Sequence, residues 1–215
     1  KDIRGNKEIN QLIEKGNEIL GVLGYTEHSK KHAAKVAETA AGILKALGYG
    51  SHEMELARIA GYMHDIGNVI NRIDHAQSGA VMAFRILDKL GMPADEIATV
   101  CSAIGNHDES TAFPVNAVAA ALILADKTDV RRTRVRNRDK ATFDIHDRVN
   151  YAVEKASTTL DAAGKAVVLT LTLDTEMSAV MDYFEIFLDR MLLCRKAAEK
   201  LGLSFRLVVN GQTVL

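Results

Sequence analysis

The chain has 215 residues with 27 basic and 28 acidic side chains, long enough to bury a core unaided and too evenly charged to be a polyanion binder as a whole. Its 2 cysteines lie far apart with no CxxC spacing, which excludes a disulfide framework and points to free core thiols in a reducing compartment. No apolar run approaches the roughly 20 residues of a membrane span, and no apolar signal region opens a chain that begins at Lys1, so a soluble, cytoplasmic protein with no membrane partner is expected.

Apolar residues recur at helical spacing through most of the chain. Ile9, Leu12, Ile13, Ile19 and Leu20 predict a helix over 8–20, ended by Gly21 and Gly24. Ala33, Val36, Ala37, Ala40, Ile43, Leu44 and Leu47 predict a second over 29–47, with Gly48 as its stop. Ser51 is placed to cap a third helix, which runs through Leu56, Ile59, Ala60 and Met63 to His64 and Asp65 and stops near Gly67. Further helices are predicted over 76–90, over 94–106 behind Pro93, and over 114–129 opened by Pro114. Arg131, Arg132, Arg134, Arg136, Arg138 and Lys140 then crowd one short stretch. A helix is predicted over 145–160 with Gly164 closing it, followed by a β-rich run from Val167 to Leu173 and a long helix over 176–201. Phe205 to Val209 and Gln212 to Leu215 form a hairpin around Asn210-Gly211, whose residue pair suits a primed turn. Two strands joined through a helix favour a parallel pair. The expected fold class is mainly α: a helical domain over 1–164 with a small C-terminal α+β appendage of strand, helix and hairpin over 165–215.

The chemistry gathers around Tyr62-Met63-His64-Asp65-Ile66-Gly67. Neighbouring residues on a helix point about 100° apart, so His64 and Asp65 reach one ion only at a helix end, which Gly67 supplies. His32 lies on an earlier helix, and His75, His107 and Asp126 follow. Asp126 comes after the unusually apolar Ala119 to Ala125, and a carboxylate ending a buried helix needs a partner such as a cation. Imidazoles and carboxylates brought together from several helices are the ligands of a borderline divalent metal.

These residues resemble the pattern of the HD superfamily of metal-dependent phosphohydrolases, over roughly residues 26 to 135. The resemblance matches His32, with Val36, Ala37 and Ala40 behind it, to the first histidine of the pattern, His64-Asp65 to its doublet, and Asp126 in Leu124-Ala125-Asp126-Lys127 to its last aspartate. It implies that these four bind a first ion, that His75 and His107 are the extra ligands of two-metal members, and that Asp65 and His64 are catalytic, Asp65 bridging the two ions. The cofactor implied is one or two divalent ions, among Mn, Fe, Mg, Ni, Co and Zn. The acidic pair that follows the doublet in guanosine tetraphosphate hydrolases is absent, Ile66-Gly67-Asn68-Val69 standing there, and the paired histidine and Gly-Tyr-Pro of the cyclic-dinucleotide phosphodiesterases are absent too.

The resemblance therefore implies hydrolysis of a phosphate ester or anhydride of a small, nucleotide-like substrate by metal-activated water. A regulatory metal-containing module and a di-iron oxygenase on the same scaffold are the alternatives. Lys127, Arg131 and Arg132 are candidates for holding substrate phosphates; a solvated face is the other reading of the basic run, and its lack of aromatics speaks against single-stranded nucleic acid. His28, His52 and His146 read as surface histidines, and Asp74 and Asp108 as outer groups beside His75 and His107. The C-terminal appendage is expected to join chains into a homo-oligomer, because so few strands leave edges open.

Overall fold

A computed structural model describes residues 2–161, 163 and 165–215. Six helices come first: α1 (Lys7–Val22), α2 (Lys30–Ala46), α3 (Ser51–Met63), α4 (His75–Lys89), α5 (Ala94–Gly105) and α6 (Ala117–Lys127). A short 3-10 turn at Ile66–Val69 separates α3 from α4. Then follow α7 (Ile145–Ala152), β1 (Val153–Asp161), β2 (Ala166–Leu173), α8 (Val180–Lys200), β3 (Ser204–Val209) and β4 (Gln212–Thr213). The protein is mainly helical with a small C-terminal sheet, as the patterning implies.

Helix α6 is the axis of the body. Val118 to Leu124 are all buried, so the helix has no solvent face, and α2, α3, α5 and α8 pack around it. Asn116 caps it by accepting from the Ala119 N–H; Pro114 stands outside the helix it was expected to open. Likewise Gly50, with no side-chain cap, precedes α3, and Ser51 is that helix's first residue rather than its cap. Helices α2 and α3 approach so closely at Gly61 that a Cβ there would lie 2.7 Å from the Ala37 Cα.

One prediction failed at the end of α7. The helix expected over 145–160 stops at Ala152, and Val153 to Asp161 form a strand. Thr158, Thr159 and Val153 carry branched side chains that suit a pleated surface, and residue-by-residue antiparallel pairing with β2, Thr158 opposite Leu169, outweighs the helical spacing. The sheet order is β1-β2-β3-β4. The β2–β3 pair is parallel, with α8 as the crossover, and β3–β4 is a hairpin turned by Asn210 and Gly211, both at positive φ. Gly164, expected to close a helix, lies outside the described residues. A single hydrophobic core joins the helical body to Leu169, Leu171 and Leu207 of the sheet through Tyr183, Met191 and Cys194 of α8. No helix among the described residues is long and apolar enough to cross a membrane.

Candidate metal centre

Each ligand-type residue comes to the centre from a helix end or a helix face turned inward. His32 projects from the first turn of α2, behind an N-cap in which the Ser29 side chain accepts from Lys31 N–H. His64 and Asp65 follow α3 directly, where the chain leaves the helix for the 3-10 turn. Gly67 makes that exit possible: a Cβ there would sit 2.0 Å from the His75 carbonyl oxygen. The carbonyl-to-glycine contact brings the start of α4, and with it His75, back against the doublet. His107 follows α5, and Asp126 lies in the last turn of α6.

The six side chains meet. His32 Nε2 lies 3.2 Å from Asp126 Oδ1 and 3.7 Å from Asp65 Oδ2; His64 Nε2 lies 3.1 Å from Asp65 Oδ2 and 3.6 Å from Asp126 Oδ1. On the other side of Asp65, Oδ1 is 3.6 Å from His75 Nε2, which is in turn 3.2 Å from His107 Nε2. Two triads have ligand atoms all within 4.8 Å of one another: His32, His64 and Asp126, and His64, Asp65 and His107. Asp65 therefore turns one oxygen to each half of the centre.

All four imidazoles are held in one tautomer. Nδ1 donates to Asp129 Oδ2 in His32 (2.8 Å), to the Gly61 carbonyl in His64 (2.8 Å), to the Arg72 carbonyl in His75 (3.0 Å) and to the Ile104 carbonyl in His107 (2.6 Å). That leaves four Nε2 atoms facing inward, the atoms that ligate a metal when they carry no proton. Burial keeps His75 and His107 below the usual imidazole range. Burial also works against a charged His64, but the Asp65 and Asp126 carboxylates lift it to about 10. Buried carboxylates thus call for positive charge here. Most telling, His32 Nε2, His64 Nε2 and Asp65 Oδ2 are buried and, though only 3.1–3.7 Å from neighbouring ligand atoms, none is aligned for a hydrogen bond among the described residues. Such orphaned atoms are costly in a dry interior, and a divalent ion satisfies all three, so nitrogen and oxygen donors of this kind fit a borderline metal.

The centre opens into a cavity of about 460 Å³. Lys127, a candidate phosphate ligand, lines it, buried and held 2.7 Å from Asp126 and 3.1 Å from Glu109. Arg131 and Arg132 do not line it. Arg131 closes a two-pronged pair on Asp129 (2.9 and 3.0 Å), and Arg132 stacks on Tyr151 and donates to its carbonyl. The cations that do face the cavity with Lys127 are Arg72, Arg134 and Arg190. Arg72 sits over Tyr25 and donates toward His75 Nε2 at 3.4 Å. His28 and His146, read as surface residues, also line the cavity; His28 is half-buried with its ring 5.7 Å from that of His32. Asp74 holds a left-handed backbone (φ 56) immediately before α4, which begins at His75. Glu109 and Arg190 carried no local signal, because each finds its partner 81 positions away, and Asp129 meets His32 across 97.

Residues 30–156 match the HD domain family. The uncharacterized protein MJ1020 of Methanocaldococcus jannaschii is 28% identical over 173 residues, a match that takes in 70% of this chain and 66%, just under two thirds, of that protein. A crystal structure of a predicted HD superfamily hydrolase from an uncultured Thermotogales bacterium aligns with a TM-score of 0.46 at 24% identity, covering 58% of this chain and 68% of that one.

Proposed function

The chain belongs to the HD domain family, and from that premise we propose that it is a metal-dependent phosphohydrolase acting on a small, nucleotide-like phosphate compound. One observation carries the reading: buried ligand atoms of His32, His64 and Asp65 lack hydrogen-bond partners among the described residues, and Asp65 lines a cavity whose walls bear cations. His32, His64, Asp65 and Asp126 would hold a first ion, and His75 and His107, around the second oxygen of Asp65, would hold another. The chemistry such an ion supplies is Lewis acidity toward water and toward a phosphoryl oxygen.

The remaining work falls to the chain's own side chains. Lys127 and Arg72 flank the carboxylates and can take the phosphoryl oxygens that face away from the centre. Hydrolysis breaks the bond from phosphorus to the leaving oxygen, which must gain a proton. The water that is consumed carries that proton, and His28 can relay it: its Nδ1 proton is held by the Thr26 carbonyl at 2.7 Å and burial keeps the ring neutral, so Nε2 can accept a proton from water and pass it on within the cavity it lines. Asp144 and Asp147 add negative charge to the lining, and hydroxyls and amines suit them better than further phosphates do, which favours a monoester over a polyphosphate.

The test is phosphate release from a panel of nucleoside monophosphates, triphosphates, dinucleotides and sugar phosphates, each under Mn, Mg, Co, Ni, Zn and Fe. Release with at least one metal, abolished in Asp65→Ala, is expected. Silence across the panel would sink the reading, and oxygen consumption with iron alone would replace it by an oxygenase.

A further inference from the structure

Helix α8 follows the segment that matches the HD domain family, yet it places Phe187 and Arg190 in the wall of the cavity. Arg190 is not loose there. Its Nε donates to Glu109 Oε1 at 2.8 Å, and its Cζ lies 4.5 Å from the centre of the Phe187 ring one turn earlier. The other oxygen of Glu109, Oε2, is 3.1 Å from Lys127 Nζ. Glu109 itself does not line the cavity; it stands behind the two cations that do. We propose that Lys127 and Arg190, each fixed to one oxygen of Glu109, form an oxyanion subsite that receives the phosphoryl group, so that α8 supplies a substrate-binding residue.

Two observations support this over a structural ion pair. First, Arg190 is pinned through Nε alone, and the described residues give its two terminal nitrogens no hydrogen-bond partner. A guanidinium held this way presents a planar fork to a phosphate or carboxylate. Second, Lys127 is adjacent in sequence to the centre's Asp126 and bonded to it at 2.7 Å, so the subsite adjoins the centre. Glu109 then acts as a positioning residue: it sets the spacing of the two cations and touches no ligand.

The inference rests on the phosphohydrolase reading for the identity of the ligand. It is tested by titrating the full chain calorimetrically with inorganic phosphate, as purified and after chelator treatment. Wild type is expected to bind in both states. Loss of one charge-assisted contact predicts phosphate binding weaker by about tenfold or more in Arg190→Gln, and weaker binding in Glu109→Gln as well. Metal content and melting temperature should match those of Arg195→Gln, a charge control on the exposed face of the same helix. In turnover the Arg190 variant should raise KM far more than it lowers kcat. If Arg190→Gln does not fold, Arg190→Lys, which keeps the charge but loses the fork, is expected to weaken phosphate binding and carries the same test. Phosphate affinity equal to wild type, or weakened affinity together with lost metal, would overturn the subsite. A wild-type chain that binds phosphate through Arg190 yet hydrolyses no ester would end the hydrolase reading and leave the subsite standing.

Discussion

Asp129 shows how much of the centre is settled outside it. Its carboxylate takes the His32 Nδ1 proton at 2.8 Å, Lys35 at 2.6 Å and the fork of Arg131, and it is almost wholly buried. Burial alone would raise its pKa, but the hydrogen bond from His32 and the neighbouring Arg134 hold it well below the usual carboxylate range. A depressed carboxylate stabilises the fold above the ordinary carboxylate pKa, and that stability is lost as pH falls through and below it. Asp129→Asn should therefore lower the denaturation midpoint at pH about 7, and that cost should shrink only as pH falls below the ordinary carboxylate value, where the unfolded chain takes up the proton first. Because it orients a ligand, the same variant should bind metal roughly tenfold to a hundredfold more weakly; unchanged affinity would deny it the orienting role. The cysteines lie at the inert extreme. Burial pushes Cys194 up to about 12 and Cys101 up to about 11, so neither should react with iodoacetamide at pH 8 until the chain is denatured, as read by mass spectrometry.

At the scale of elements, the centre depends on two glycines where backbones nearly touch. Gly61 lets α3 lie on α2 at Ala37, and Gly67 lets α4 fold back on the doublet. Gly61→Ala forces a Cβ against backbone and should destabilise by roughly 1–3 kcal/mol, seen as a lower denaturation midpoint. Gly67→Ala has less room still and should also impair metal binding, since His75 must move. The six clustered residues were legible in the sequence because they match the spacing of the family pattern and each helix showed its own apolar period. Strand β1 was not: Val149, Ala152, Val153 and Ala156 continue a helical spacing, and only pairing with β2 decides otherwise. Arg72, Glu109 and Arg190 were hidden for a related reason. A charged side chain in a loop or on a helix reads as solvated until its partner is known, and Arg190 finds Glu109 across 81 positions.

In the whole molecule the C-terminal part is structural support as well as a lining for the cavity. Met191, Cys194, Ala197 and Ala198 of α8 are fully buried in the same core as α6. Truncation after residue 161 should consequently abolish the cooperative melting transition rather than leave a folded helical body; a truncated chain with intact helical circular dichroism and an unchanged melting temperature would refute this. Filling the metal centre should act in the opposite direction, because an ion that binds only the folded chain raises stability by mass action. The central claim is that His32, His64, Asp65, Asp126, His75 and His107 form a divalent-metal centre, and calorimetric titration of the chelator-treated chain with Mn tests it most directly. Saturable binding of two ions per chain, with none retained in Asp65→Ala at unchanged helical content, is the result predicted. No saturable binding, or the same stoichiometry in Asp65→Ala, would contradict it.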